Sequence, residues 1–159
     1  MDNPDQHLLD TIENHGWAVI RISADADGPS FAYSIGLYQT FEHPEIIIVG
    51  LHPDTAHKLI NDVGDAVRQG ARVRAGETSS AFLADFACTF RRVPPHQYRA
   101  YLGRALWYYK DRAFPTLQFI YPDRDGRWPW EEGVHPDFRR TQPVLADEPE
   151  PPWASRPAV

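Results

Sequence analysis

Phe31-Ala32-Tyr33-Ser34-Ile35-Gly36-Leu37 alternates large and small residues without interruption. In an extended strand, successive side chains leave on opposite faces. Phe31, Tyr33, Ile35 and Leu37 therefore share one face, and Ala32, Ser34 and Gly36 the other. A face so nearly bare admits the close approach of a packed helix or of a ligand.

Upstream, Pro4 fits the first position of a helix, with Asn3 as its N-cap, a stripe of Leu8, Leu9 and Ile12, and Gly16 at its end. Trp17–Ile22 reads as a strand, and Asp25–Pro29 as a turn. Downstream, His43-Pro44-Glu45 leads into Ile46–Leu51, a continuous β-branched run expected to be a central strand buried on both faces. His52-Pro53-Asp54 opens a second helix, whose apolar positions run from Ala56 to Val67. Arg72–Arg74 suggests a short strand and Phe82–Val93 a long one. Pro94-Pro95 starts a third helix, striped by Tyr98, Tyr101, Leu102, Ala105 and Leu106. Pro115–Tyr121 is a further strand, followed by the turn at Asp125-Gly126.

Strands arrive in adjacent runs rather than in strict alternation with helices. That order predicts an α+β fold. The expected architecture is a mostly antiparallel sheet of five to six strands with about three packed helices. It forms a single globular domain over residues 1–145, and a Pro- and Glu-rich tail over 146–159 is expected to be disordered.

Composition narrows the partners. Of the 159 residues, 42% are hydrophobic and 13% aromatic, enough for a core without disulfide or metal staples. The one cysteine, Cys88, lies in Phe86-Ala87-Cys88-Thr89-Phe90 and reads as a buried core residue. A formal net charge of −6 argues against nucleic acid and anionic membranes as partners. Arg91-Arg92 and Arg139-Arg140 are short basic spots that read as solvated surface. The N-terminal segment is polar and acidic, and no apolar run is long enough to cross a bilayer. A cytoplasmic protein without membrane contact is expected.

Four segments together are distinctive: Phe31–Leu37; His43-Pro44-Glu45 before a strand ending in Gly50-Leu51; Gln118-Phe119-Ile120-Tyr121-Pro122-Asp123 with Gly126 and Trp128-Pro129-Trp130; and Gln142-Pro143-Val144-Leu145. In this order they resemble the uncharacterised bacterial family known as domain of unknown function 4262, over Leu8 to Leu145. The resemblance implies a small, stand-alone, mainly bacterial domain and implies no activity.

The residues themselves permit several chemistries. His43 and Glu45 point the same way along a strand, but His52 lies a strand length of about 20 Å away. They do not form a metal site without help from a distant residue, and none is expected. Tyr33-Ser34-Ile35-Gly36 lacks the leading glycine of a nucleophile elbow. No phosphate loop or dinucleotide fingerprint is present, and no cofactor can be named. Asp123-Arg124-Asp125-Gly126 reads as a hairpin turn. Trp107, Tyr108, Tyr109, Trp128 and Trp130, with Tyr33 and Tyr121, supply aromatic walls, and Gln118 and Asp123 polar groups to orient a ligand.

The leading expectation is therefore a module that binds a small ligand or a partner chain. Its candidate site comprises Tyr33, Ser34, Gly36, His43, Glu45, Gln118, Asp123, Trp128 and Trp130, converging on one concavity. The alternative is an enzyme using His43, Glu45 or Asp123 as acid and base. A third reading pairs two copies into a homodimer through the bare strand face.

Overall fold

A computed structural model describes residues 3–110 and 112–147. Among these, six strands form one sheet in the order β1-β2-β3-β6-β5-β4. The strands are β1 (Ala18–Ile22), β2 (Phe31–Ile35), β3 (Glu45–Val49), β4 (Thr78–Ser79), β5 (Cys88–Arg92) and β6 (Thr116–Ile120). Six α-helices accompany them: α1 (Pro4–His15), α2 (Leu37–Phe41), α3 (Pro53–Arg68), α4 (Tyr98–Tyr101), α5 (Gly103–Tyr109) and α6 (Pro136–Thr141).

The α+β class is as expected, but the sheet is mixed rather than mostly antiparallel. At its centre β3 runs parallel to β6, with Glu45 opposite Thr116 and Ile47 opposite Gln118. A parallel neighbour needs a long crossover, here the whole stretch from α3 to α5. Such a non-local pairing leaves no mark on strand spacing. The helix count also exceeds the expected three. The third helix is broken into a 3-10 turn at Pro95–Gln97, then α4 and α5, because Leu102 leaves helical geometry at φ −116°, ψ 36°.

Two cores flank the sheet. On one face α3 lays Ala56, Leu59, Ile60, Val63 and Val67 against Ala32, Ile46, Ile48 and Phe119. This helix fills the bare face of β2. Its Gly64 lies so close to the Trp17 ring that a Cβ there would overlap it, and Trp17 Nε1 donates to Asn61 Oδ1 at 2.9 Å. On the other face Leu8 and Ile12 of α1 join Leu102, Ala105 and Tyr109 against Tyr33, Ile35, Ile47 and Val49. The alternation of β2 holds as far as Ile35. Gly36 then takes φ +120° and turns the chain, so Leu37 packs in the opposite core from Tyr33 and Ile35.

Two expected strands are shorter or absent. Arg72–Arg74 forms no strand, and the Val73 N–H donates to His43 instead of to a ladder. Phe82–Ala87 is irregular, with Phe82 anchored edge-on to Phe90. Cys88 is buried as expected, and burial pushes its thiol up to about 12. The proline-rich tail lies, from residue 148, outside the described residues. No helix among the described residues is long and apolar enough to cross a membrane.

Candidate functional site

Glu45, the first residue of β3, is fully buried. Its carboxylate receives five hydrogen bonds: from Ser34 Oγ at 2.7 Å, from the Gly36, Leu37 and Tyr38 backbone N–H groups at 2.9, 3.2 and 3.2 Å, and from Tyr109 Oη. The three N–H groups arise at the turn into α2, which points unpaired donors at one spot. The Gly36 turn aims them there, and a Cβ on Gly36 would press within 2.7 Å of the Gly16 carbonyl oxygen.

Each of the two hydroxyls also accepts a hydrogen bond from a backbone N–H. Ser34 Oγ accepts from Ile46 N at 3.0 Å, and Tyr109 Oη from Gln39 N at 3.2 Å. Their hydrogens are thus free to face Glu45. A carboxylate, which only accepts, completes this set; a protonated carboxyl would set its own hydrogen against a donor. Burial, the largest influence, raises the Glu45 pKa, and the bonds from Tyr109, Ser34, Gly36 and Tyr38 pull against it. Burial and the neighbouring carboxylate raise Tyr109 far above its ordinary value, so the shared proton stays on the phenol.

The other candidate residues are engaged separately. His43 is fully buried beside this knot. Its Nε2 accepts from Val73 N at 3.1 Å and its Nδ1 lies 2.9 Å from the Pro44 carbonyl, so the neutral ring carries its proton on Nδ1. Burial first, then the Arg72 and Arg74 charges, lower its pKa. Tyr33 Oη accepts from Arg104 N at 3.1 Å. Gln118 donates to the Pro143 carbonyl at 2.9 Å and accepts from Leu145 N at 2.9 Å, imitating a strand partner for the C-terminal segment. Gln142 does the same for Tyr121, with bonds of 3.0 and 2.8 Å to its N–H and carbonyl. Asp123 accepts from Asp125 N and Arg127 N, both at 2.9 Å, which shapes the turn. Trp128 and Trp130 stack on each other at 5.7 Å, and Arg91 lies over Trp130.

Ser34, Gly36 and Glu45 therefore meet directly, whereas Gln118, Asp123 and the two tryptophans act in other places. The distinctive segments of the sequence hold one another: Tyr121 Oη donates to the Val49 carbonyl at 2.9 Å, and Gly50 leaves no room for a Cβ beneath Thr141 and Tyr121. Among the described residues no cluster of three His, Cys, Asp or Glu side chains is arranged to hold a metal.

Concavities open beside the Glu45 knot. The largest of three, 590 Å³, runs between α2, the start of α4 and the stretch leading into β6. Tyr38, Val93, Tyr98, Leu106 and Phe114 supply its apolar walls, and Arg92, Arg99, Lys110 and Arg112 its charges. A second, of 510 Å³, shares Arg92 and Pro115 with it and adds Arg72 and Arg74; His43 lies in its floor. A third, of 530 Å³, has Tyr109, Lys110 and Arg112 on its wall. Ser34 and Trp128 line none of these three. Sequence reading missed the groove. Its cations come from separate elements, and the one visible signal, Arg91-Arg92, resembles ordinary surface.

Fold and site together define an α+β protein with a mixed six-stranded sheet, a locked polar knot and a cationic groove beside it. The family described as Domain of unknown function (DUF4262) matches residues 11–135, and the chain belongs to that family. Neither a curated protein nor a solved structure matches the chain.

Proposed function

We propose that this protein is a small-ligand binding module of the bacterial cytoplasm, a single globular unit through residue 145, and that the ligand occupies the groove beside Tyr38 and Phe114. The observation that carries this reading is the groove itself: 590 Å³ of concave space with aromatic walls and a few charged groups, the combination ligand sites use. A concave rather than flat surface favours a small molecule over a partner chain. The Glu45 knot supports the reading as scaffold, because it fixes the turn carrying Tyr38 and, through Tyr109, the end of α5.

Acid–base catalysis is less well supported. Glu45 and His43 are both fully covered, and their hydrogen-bonding groups are taken up within the chain. Asp123 is tied into its turn.

The test is native mass spectrometry of protein purified from its own organism, compared with the variant Ala113→Trp, whose larger side chain would fill the groove that Ala113 lines. A bound mass on the wild type that disappears from the variant is expected. The same mass on both proteins, or none on the wild type, would overturn the reading.

A further inference from the structure

We infer that the ligand is a phosphorylated small molecule with a flat apolar body, held by its phosphates along a track of cations centred on Arg92. This rests on the groove being a ligand site. The argument begins with charge. The chain carries 22 acidic and 16 basic residues. Yet the two concavities that meet at Arg92 bring together Arg72, Arg74, Arg92, Arg99, Lys110 and Arg112, against one described carboxylate, Glu42.

Among the described residues Arg92, Arg99, Lys110 and Arg112 have no carboxylate within 4.0 Å. Arg74 is shared with Glu77 at 3.5 Å, and Arg72 donates to the Glu42 carbonyl. Asp111 lies outside the described residues. Among the described residues the cations outnumber the carboxylates beside them, and a cleft with an excess of one sign concentrates ions of the other.

The identity of the cations narrows the anion. Five of the six are arginines, whose planar forks match phosphate oxygens in pairs. So many cations suit several phosphates better than one. The walls specify the rest of the ligand. Tyr38 and Tyr98 are half-buried beside buried Phe114, a setting that accepts a flat ring rather than bare polyphosphate. The backbone adds a second sign of a built site. Lys110 leaves α5 at φ +47°, a left-handed value uncommon for lysine, and sets the chain on the groove's rim.

The experiment is a calorimetric titration of the full chain with adenosine triphosphate, inorganic tripolyphosphate, adenosine and citrate, at about 0.1 M salt. Adenosine triphosphate should bind in the millimolar range or tighter, with adenosine and citrate weaker by about tenfold and tripolyphosphate in between. Arg92→Gln and Arg99→Gln should each weaken it by about fivefold or more, while Arg21→Gln, whose arginine pairs with Asp54 away from the groove, should not. Adenosine or citrate binding as tightly as adenosine triphosphate would overturn the inference. So would an equal loss in Arg21→Gln, or no binding of either phosphate compound. A neutral molecule co-purifying with the wild type and absent from Ala113→Trp would sink the phosphate assignment while leaving the groove as a ligand site. Absence of both would sink the two together.

Discussion

The Glu45 carboxylate receives five hydrogen bonds from within the chain, whereas the guanidinium groups of Arg92 and Arg99, a short way across the surface, meet no described carboxylate. Both regions concentrate polar chemistry. In one the groups are buried and mutually satisfied, so their energy goes into holding α2 and α5 against the sheet. In the other they are exposed and meet no carboxylate among the described residues, so they are open to an outside partner. Titratable residues in a distinctive motif attract functional readings, but accessibility and saturation decide what they can do. The comparison implies that substitutions in the knot should act on stability, and substitutions in the groove on binding.

The largest effect is expected at Glu45. Glu45→Leu would leave three backbone N–H groups and two hydroxyls buried without their acceptor. Each orphaned donor costs about 1–3 kcal/mol, less whatever relaxation recovers, so a loss of about 4–6 kcal/mol is expected. Thermal unfolding should shift down by about 10–20 °C. Glu45→Gln keeps an acceptor but turns an amide NH₂ toward the donors, and should fall between. A shift of only a few degrees in Glu45→Leu would show that the knot does not hold the fold.

Gly50→Ala should come next. Gly50 sits at φ +97°, and a Cβ there would overlap the Thr141 carbonyl oxygen and lie 2.6 Å from Tyr121 Oη. Left-handed strain of about 1–2 kcal/mol and the steric clash should together cost about 2–4 kcal/mol. Denaturant unfolding measures this, and a loss under about 1 kcal/mol would mean that α6 shifts freely to make room.

The contrast between the two regions also marks what the sequence could disclose. Ser34, Gly36 and Glu45 belong to two neighbouring segments, and their chemistry groups them in one candidate site, although strand spacing alone does not dictate that they meet. Their role was not readable, because Tyr109, which closes the knot, stands 64 positions from Glu45 in the chain. The strands of the central sheet could be read from alternation and β-branching, but not the parallel β3–β6 pairing, which depends on where a long crossover returns. Phe82–Ala87 shows the opposite failure: its regular alternation anchors a loop rather than a strand. The groove was hardest, since Arg92, Arg99, Lys110 and Arg112 share no periodic signal and the overall acidity of the chain pointed away from them.

A smaller and pH-dependent effect is expected at His43. Its buried ring accepts from Val73 through Nε2, so a second proton breaks that bond, and its pKa is lowered in the fold from the ordinary 6.5. The folded state then binds fewer protons than the unfolded chain in the interval below 6.5. Stability is full above that pH and is lost as pH falls from 6.5 toward the folded value, by at most about 1.4 kcal/mol per pH unit. His43→Gln retains an acceptor that does not titrate. The wild-type melting temperature should therefore fall more than the variant's between about pH 7 and pH 5. Parallel curves would mean that another group governs the acid limb.

The smallest effect on stability belongs to the groove. Arg99 is exposed on α4 and forms no ion pair among the described residues, so Arg99→Gln removes a charge without opening a cavity or orphaning a buried partner. Surface changes of this kind usually stay within about 0.5 kcal/mol. The sign adds information. If Arg92, Arg99, Lys110 and Arg112 repel one another in the free protein, removing one should leave stability unchanged or raise it slightly, more so at low ionic strength, where screening is weakest. Melting temperatures of Arg99→Gln and wild type at about 0.02 M and about 0.5 M salt test this. The variant should match or exceed the wild type at low salt, and the gap should close at high salt. A clear destabilisation at low salt would mean that Arg99 has a stabilising partner in the free protein, and the contrast with the saturated Glu45 knot would not extend to that residue.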